Sequence, residues 1–137
     1  MCLSFVFTTE MYPDDDEYIG YKVVEKLDDD TIFTPYYDYK IELNKWLVDR
    51  TEKTLGTELL GSQSYRAGFH IWAKIEGAIA NKQFLEENAC LRSQHIYKVR
   101  YRKVIANGAQ APGATNDIFH RCFVAKEMMV LEEVENV

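Results

Sequence analysis

The chain has 137 residues and few of the side chains that build disulfide frameworks or metal sites, with three cysteines and three histidines. An odd number of cysteines without a Cys-x-x-Cys pair argues against a disulfide framework and against a zinc site. The cysteines are Cys2, Cys90 and Cys122, and we interpret them as buried or reduced thiols. The histidines are spaced too widely for a local metal motif, so the sequence predicts no metal and no cofactor.

Long apolar runs are absent as well. No run approaches the roughly 20 apolar residues that a membrane-spanning helix needs. The N-terminal stretch MCLSFVFTTEMY has no basic leader and is followed by acidic residues, which argues against a signal peptide. Hydrophobic residues make up 47% of the chain, which favours one globular domain over residues 1–137. We expect a cytoplasmic protein without a membrane partner.

The common signatures of enzymes and calcium loops are missing. There is no glycine-rich phosphate loop, no Gly-x-Ser-x-Gly and no His-Glu-x-x-His motif. Two runs of three aspartates, at 14–16 and 28–30, lack the Asp-x-Asp-x-Asp-Gly spacing of a calcium loop. They are typical of solvated turns, and residues 19–26 between them have the composition of a strand.

The net charge of −6 is unevenly distributed. Residues 1–60 hold fourteen acidic and six basic residues, whereas residues 61–137 hold eight acidic and ten basic ones. A protein that binds duplex nucleic acid needs a concentrated basic surface, so this distribution argues against that function. It permits a small anion pocket in the second half, and it permits a homo-oligomer in which unlike surfaces meet.

Hydrophobic periodicity predicts one helix after Trp72, with about 12–14 residues, an end near Asn88 and an irregular Gly77. Residues 34–50 predict two short strands with a turn near Asn44, and residues 51–64 predict a polar connection.

The last third of the chain predicts a long hairpin. Residues 96–108 give the strongest strand signal, with a bulge or twist near Arg102. Residues 107–117 then read as a loop, and residues 119–134 as a final, central strand. The predicted fold class is therefore α+β: a mostly antiparallel sheet, one principal helix packed on one face, and a C-terminal long hairpin.

One candidate site lies in the segment YRAGFHIWAKIEGAIANK, residues 65–82. If residues 68–72 are extended, His70 and Trp72 share one face, while Phe69 and Ile71 point into the core. Two interpretations remain open. In the first, His70 is a hydrogen-bonded structural residue and Trp72 is a packing lid. In the second, four side chains surround a ligand: Tyr65, Arg66, His70 and Trp72.

A second candidate is the row of bases Lys98, Arg100 and Arg102, at alternate positions on one strand face. Such a row is either a solvated sheet face or a phosphate-recognition surface, because the arginine fork can bind two oxygens at once. The tyrosines at 36, 37 and 39 are either core and rim residues or a stacking surface for a planar ligand. We assign no catalytic residue from the sequence.

Four segments carry a resemblance to known proteins: YKVV at 21–24, YRAGFHIWAKIEGA at 65–78, IYKVRYRKVIANG at 96–108 and VAKEMMVL at 124–131. Together they resemble small uncharacterised phage and prophage proteins with a Gly-Phe-His turn, a short alanine-bearing helix and a terminal hairpin. The order of elements over roughly residues 20–132 is also similar to that of Thoeris anti-defence sponge proteins.

This resemblance implies a phage-encoded homo-oligomer with pockets at or near subunit boundaries. It would bind a cyclic nucleotide immune signal, such as a cyclic ADP-ribose isomer, without cleaving it. Two other functions stay open. The acidic N-terminal half is compatible with an inhibitor that blocks a host defence protein by direct contact. His70 is compatible with acid or base chemistry in an enzyme that processes a nucleotide or an ADP-ribosyl group.

Overall fold

The computed structural model describes residues 3–8, 16–34, 40–57, 63–88, 93–111 and 118–135. Within these residues lie ten β-strands and one α-helix. In chain order they are β1 (Phe5–Thr8), β2 (Tyr18–Lys26), β3 (Ile32–Phe33), β4 (Lys40–Ile41), β5 (Trp46–Val48), β6 (Thr54–Gly56), β7 (Ser64–Arg66), β8 (Phe69–Trp72), α1 (Ile75–Glu87), β9 (Ser93–Gln110) and β10 (His120–Glu133). The predicted α+β fold is confirmed, since a mostly antiparallel sheet carries a single helix.

Four of these strands close into a ring. The main sheet runs β1-β9-β10-β8-β2-β3-β4, with β5 beside β10, and β2 pairs again with β9. That second pairing extends from Tyr18 opposite Tyr101 to Lys26 opposite Ser93. Because β9, β10, β8 and β2 each pair with the next strand and β2 returns to β9, the sheet closes on itself.

The weakest join in the ring lies between β2 and β8, where one pair, Tyr21 opposite Trp72, links the strands. The Lys22 Nζ donates a hydrogen bond of 2.7 Å to the backbone oxygen of His70 beside this join. A side chain thus supplies a bond that the short ladder does not make, because a backbone carbonyl in the interior needs a donor.

Two groups of buried side chains occupy the two faces of the ring. The inner cluster contains residues of the sheet alone, among them Ile71, Val99 and Met128. The helix-side cluster contains Trp72 together with Ala78 and Leu85 of α1, and it therefore lies between the sheet and the helix. Strand β8 contributes to both clusters because successive side chains of a strand point to opposite faces. The prediction that Phe69 and Ile71 enter the core is confirmed.

The helix agrees with its prediction, since α1 has 13 residues and is capped at Asn88. Its irregular glycine has a packing reason. A Cβ atom at Gly77 would lie 2.7 Å from the Trp72 ring and 3.0 Å from the Cβ of His120. The missing side chain lets the first turn of the helix rest directly on β8 and β10.

The C-terminal hairpin is also confirmed. Strands β9 and β10 pair from His120 opposite Gln110 to Glu133 opposite Tyr97, and β10 is central because it also pairs with β8 and β5. The ladder has an irregularity near the predicted bulge: Lys103 has a positive φ of 57°. The loop predicted over residues 107–117 is wrong for residues 107–110, which belong to β9, because β1 and β10 pair with them on either side.

Two further differences concern short strands. Part of the segment 51–64, predicted as a connection, forms the pair β6 and β7, and β1 was not predicted. The outer edge of β1 is covered by the amide of Gln63. Its Nε2 donates to the Val6 backbone oxygen, and its Oε1 accepts from the Val6 N–H, both at 3.2 Å.

The short strands and turn predicted in residues 34–50 correspond to β4, β5 and the turn at Asn44, which has a φ of 61°. The tyrosines at 36, 37 and 39 lie outside the described residues, as do Cys2 and Cys90. The helix of the described part of the chain is too short to cross a membrane.

Candidate functional site

Tyr65 and His70 lie on β7 and β8, which are consecutive in the chain and belong to different sheets. The Tyr65 hydroxyl accepts a hydrogen bond of 2.7 Å from the Leu3 backbone N–H and lies 2.9 Å from His70 Nε2. In the tautomer that carries its proton on Nδ1, His70 Nε2 accepts the hydrogen of the Tyr65 hydroxyl. A hydrogen bond with the Gly68 backbone acts on the same ring. The imidazole of His70 is therefore hydrogen-bonded within the protein.

Burial decides the charge of this histidine. His70 is 4% exposed. Desolvation lowers its pKa from 6.5 to about 3, and the positive charge of Lys22 adds to the effect. His70 is neutral at physiological pH, and a proton on Nε2 would displace the bond from Tyr65. The contacts match the structural interpretation of His70, and its ligand-binding role stays a prediction.

The other members of the first predicted group point in two directions. Trp72 is 1% exposed, and its ring stands edge-on to His120 with centroids 6.2 Å apart. Arg66 is exposed and pairs with Glu52 at 2.9 Å. The structure thus joins Tyr65 to His70 in the core and holds Arg66 at the surface.

The predicted row of bases does lie on the outer face of β9, as alternation requires. Arg100 is 3.5 Å from Glu17. Arg102 is 2.7 Å from the largely buried Glu127 and stacks over the Trp46 ring at 3.8 Å. Each of the two arginines therefore already forms an ion pair with a carboxylate. Lys98 is half-buried on the same face.

A different set of residues lines a cavity of about 240 Å³ on the inner face of the ring: Tyr18, Val104, Arg121 and Phe123. The two aromatic rings of the lining, Tyr18 and Phe123, form a row with the buried Tyr101 between them. The centroids of Tyr18 and Tyr101 are 5.6 Å apart, and those of Tyr101 and Phe123 are 5.8 Å apart. Tyr18 remains 39% exposed, so a ligand can reach the row from solvent. The rings offer a flat apolar surface, and the tyrosine adds a hydroxyl.

The ring closure positions this aromatic row. Tyr18 lies opposite Tyr101 in the β2–β9 ladder. A Cβ at Gly20 would lie 2.6 Å from an Ile71 methyl group, 2.8 Å from the Trp72 backbone oxygen and 3.1 Å from the Tyr101 ring. Glycine at this position lets β2 approach β8 and β9 closely, which brings Tyr18 to the cavity.

Arg121 supplies the positive charge of the cavity. Its guanidinium carbon lies 5.2 Å from the centre of the Phe123 ring, within the range of a cation–π contact. Its Nη2 donates to Oδ1 of the buried Asn107 at 3.2 Å. Among the residues that the structure describes, Arg121 forms no ion pair with a carboxylate, unlike Arg66, Arg100 and Arg102. Its charge is thus available to an anion.

Sequence reasoning missed Tyr18, Arg121 and Phe123 as site residues. The signal for Arg121 was its position between two aromatic residues in FHRCF, residues 119–123. The cavity itself depends on the β2–β9 pairing, which joins residues about 80 positions apart and has no local sequence signature.

The chemistry of the remaining reactive groups is limited. Cys122 is buried, and desolvation raises the pKa of its thiol to about 12, which keeps it in the unreactive protonated form. Within the described ranges, no group of three or more His, Cys, Asp or Glu side chains is placed to hold a metal ion. No family model, curated protein or solved structure matches this chain.

Proposed function

We propose that the protein is a binding protein for a small nucleotide-type ligand, and that it holds this ligand in the cavity beside Arg121 without cleaving it. The observation that carries the proposal is an arginine without a carboxylate partner among the described residues, at an accessible row of aromatic rings. A nucleotide has the matching parts, since it joins a planar base to an anionic phosphate.

Each part of such a ligand has a partner in the cavity. The base would stack on the exposed side of Tyr18 and Phe123, and base–aromatic stacking contributes about 1–3 kcal/mol per base. The phosphate would bind Arg121, whose planar fork suits two phosphate oxygens. The side chain of Asn107 accepts a hydrogen bond from the guanidinium and thereby holds it in place.

The cavity volume limits the size of the ligand. Sites for drug-sized molecules usually measure about 300–1,000 Å³. A cavity of about 240 Å³ therefore accommodates one base with its neighbouring sugar or phosphate, and the rest of a larger signal would extend into solvent. The resemblance to sponge proteins adds the role: the ligand would be an immune signal that is sequestered and released intact.

The test is calorimetric titration with adenosine 5′-monophosphate, a cyclic dinucleotide and a cyclic ADP-ribose isomer, followed by heat release and chromatography of the bound ligand. Arg121→Ala removes the proposed anion partner, and Arg66→Ala is the matched control, because it removes another exposed arginine outside the cavity. A charge-assisted hydrogen bond contributes about 1.5–3 kcal/mol, so Arg121→Ala should weaken binding about tenfold to a hundredfold. Arg66→Ala should leave it unchanged.

Three results would contradict the proposal: no ligand of the panel binds, Arg66→Ala weakens binding as much as Arg121→Ala, or the recovered ligand is chemically altered. The last result would favour the alternative of a nucleotide-processing enzyme.

A further inference from the structure

A serine, a histidine and a glutamate form a hydrogen-bonded line where β9 begins and β10 ends. The Ser93 Oγ lies 2.8 Å from His95 Nε2, and His95 Nδ1 lies 2.9 Å from Glu133 Oε2. One assignment of hydrogens satisfies both contacts: Nδ1 donates to the carboxylate, and Nε2 accepts from the serine hydroxyl. This is the order of contacts in the serine hydrolase triad, in which the nucleophile, the base and the orienting carboxylate follow one another.

The strand register explains why these side chains meet. Ser93 and His95 are two residues apart on β9 and therefore share one face. Glu133 of β10 lies opposite Tyr97 of β9. Tyr97 is two residues after His95, so Glu133 projects from the same face of the hairpin as Ser93 and His95. The antiparallel hairpin thus brings residues 38 positions apart within hydrogen-bond distance.

The carboxylate is held in its charged form by two partners. Its second oxygen, Oε1, accepts a hydrogen bond of 3.1 Å from Lys26 Nζ on β2. Partial burial alone would raise the pKa of Glu133, but the bonds from His95 and Lys26 bring that pKa below its ordinary value. A charged Glu133 fixes the His95 tautomer that leaves Nε2 free to accept the proton of Ser93.

The line is open to solvent and separate from the aromatic cavity. Ser93 is exposed, and 25% of the His95 side chain is accessible. Ser93 pairs with Lys26 at one end of β2, whereas Tyr18 of the cavity lies at the other end, eight positions away. At roughly 3.3 Å per residue, the two sites are about 26 Å apart along the strand.

We propose that Ser93, His95 and Glu133 form a second, catalytic site that transfers the acyl group of small carboxylic esters to water. The Ser93 oxygen attacks the ester carbonyl while His95 Nε2 takes the hydroxyl proton. Collapse of the tetrahedral intermediate breaks the bond to the alcohol oxygen, which receives the proton from His95. Water, deprotonated by His95, then attacks the acyl-serine; the bond between the acyl carbon and the Ser93 oxygen breaks, this oxygen receives the proton from His95, and the carboxylic acid is released. The sum is ester plus water to acid plus alcohol, and Ser93 is regenerated.

The exposure of Ser93 sets the substrate class. The serine stands on an exposed strand face that offers little binding energy to a substrate, so the site acts on esters with an unhindered carbonyl and an activated leaving group. Ser93 and His95 act on the substrate directly, and Glu133 is a positioning residue that acts through His95.

The test uses two probes on the full chain. Hydrolysis of p-nitrophenyl acetate measures turnover, and diisopropyl fluorophosphate followed by peptide mass spectrometry locates the reactive serine. The variants are Ser93→Ala, His95→Gln, Glu133→Gln and Glu133→Asp. Ser64→Ala is the matched control, because Ser64 is also an exposed serine near the start of a strand. Circular dichroism confirms the fold of each variant.

We expect the diisopropylphosphoryl label on Ser93. Hydrolysis of p-nitrophenyl acetate should fall at least tenfold in Ser93→Ala and His95→Gln and stay unchanged in Ser64→Ala, since a general base typically contributes about 10²–10⁴-fold. Glu133→Gln should lower kcat per folded molecule, with the folded fraction taken from circular dichroism, and Glu133→Asp should recover part of the loss because it restores the carboxylate beside His95. Hydrolysis equal in Ser93→Ala and the unmodified protein, or a label spread over other serines, would overturn the proposal.

Discussion

The Tyr65 hydroxyl and His70 Nε2 lie 2.9 Å apart in the core, and the same hydroxyl receives the Leu3 N–H at 2.7 Å. One oxygen thus joins the N-terminal segment to β7 and β8. The three groups are almost fully excluded from solvent, so each depends on this oxygen for a hydrogen-bond partner.

Tyr65→Phe should destabilise the protein by about 1–3 kcal/mol, because it leaves the buried Leu3 N–H and His70 Nε2 unpaired. Urea denaturation monitored by circular dichroism measures this loss. The control Tyr18→Phe removes a hydroxyl from a tyrosine that is 39% exposed and should change the free energy of unfolding by less than about 0.5 kcal/mol. Equal effects of the two substitutions would refute the buried network.

The stability of the protein should fall in mild acid because of His70. The folded protein holds its pKa near 3, whereas the unfolded chain has the ordinary value of 6.5. Between these values the unfolded state binds more protons, so the stabilisation is complete above pH 6.5 and is lost as the pH falls towards 3. From pH 7 to pH 5 the expected loss is about 2 kcal/mol.

Urea denaturation at both pH values checks this expectation, with His70→Gln as the comparison. Glutamine cannot titrate, yet its amide offers one donor and one acceptor. The variant should lose about 2 kcal/mol less than the unmodified protein over the same interval. A parallel decline in both proteins would assign the acid sensitivity to other groups.

The two arginines of the β9 row should differ in their effect on stability. Arg102→Ala removes a partner of the buried Glu127 and a stacking contact with Trp46, so we expect a loss of about 1–3 kcal/mol. Arg100 forms an exposed ion pair with Glu17, and Arg100→Ala should cost less than about 1 kcal/mol. Thermal and urea denaturation measure both, and a larger loss for Arg100→Ala would contradict the described contacts.

The elements that could be predicted from the sequence are those in which apolar residues recur at the spacing of a helix or a strand within one segment. Helix α1 follows from apolar spacing after Trp72, and the opposite faces of Ile71 and His70 follow from the pleat of a strand. The extension of β9 over residues 107–110 could not be predicted, because ANGAQ has the composition of a loop and is held as a strand by its two neighbours.

The sites depend on pairings that the sequence does not reveal. Ser93 and His95 are visibly two residues apart, but Glu133 reaches them through the register of a hairpin. Arg121 stands between aromatics in the sequence, but Tyr18 joins it through the closure of β2 onto β9. His70 stands out in the sequence as a histidine between two apolar residues. Its hydrogen-bond partner Tyr65 also bonds Leu3, a residue 67 positions earlier in the chain than His70.

On the outer edge of β1, the side-chain amide of Gln63 bonds the backbone N–H and C=O of Val6, as a neighbouring strand would do. An uncovered strand with the sequence FVFT would present backbone donors and acceptors to any other extended chain, which is the usual start of intermolecular sheet growth. Gln63 already occupies both backbone groups of Val6, and an incoming strand would have to displace it first. A single glutamine thereby protects this edge of the sheet against intermolecular pairing at Val6.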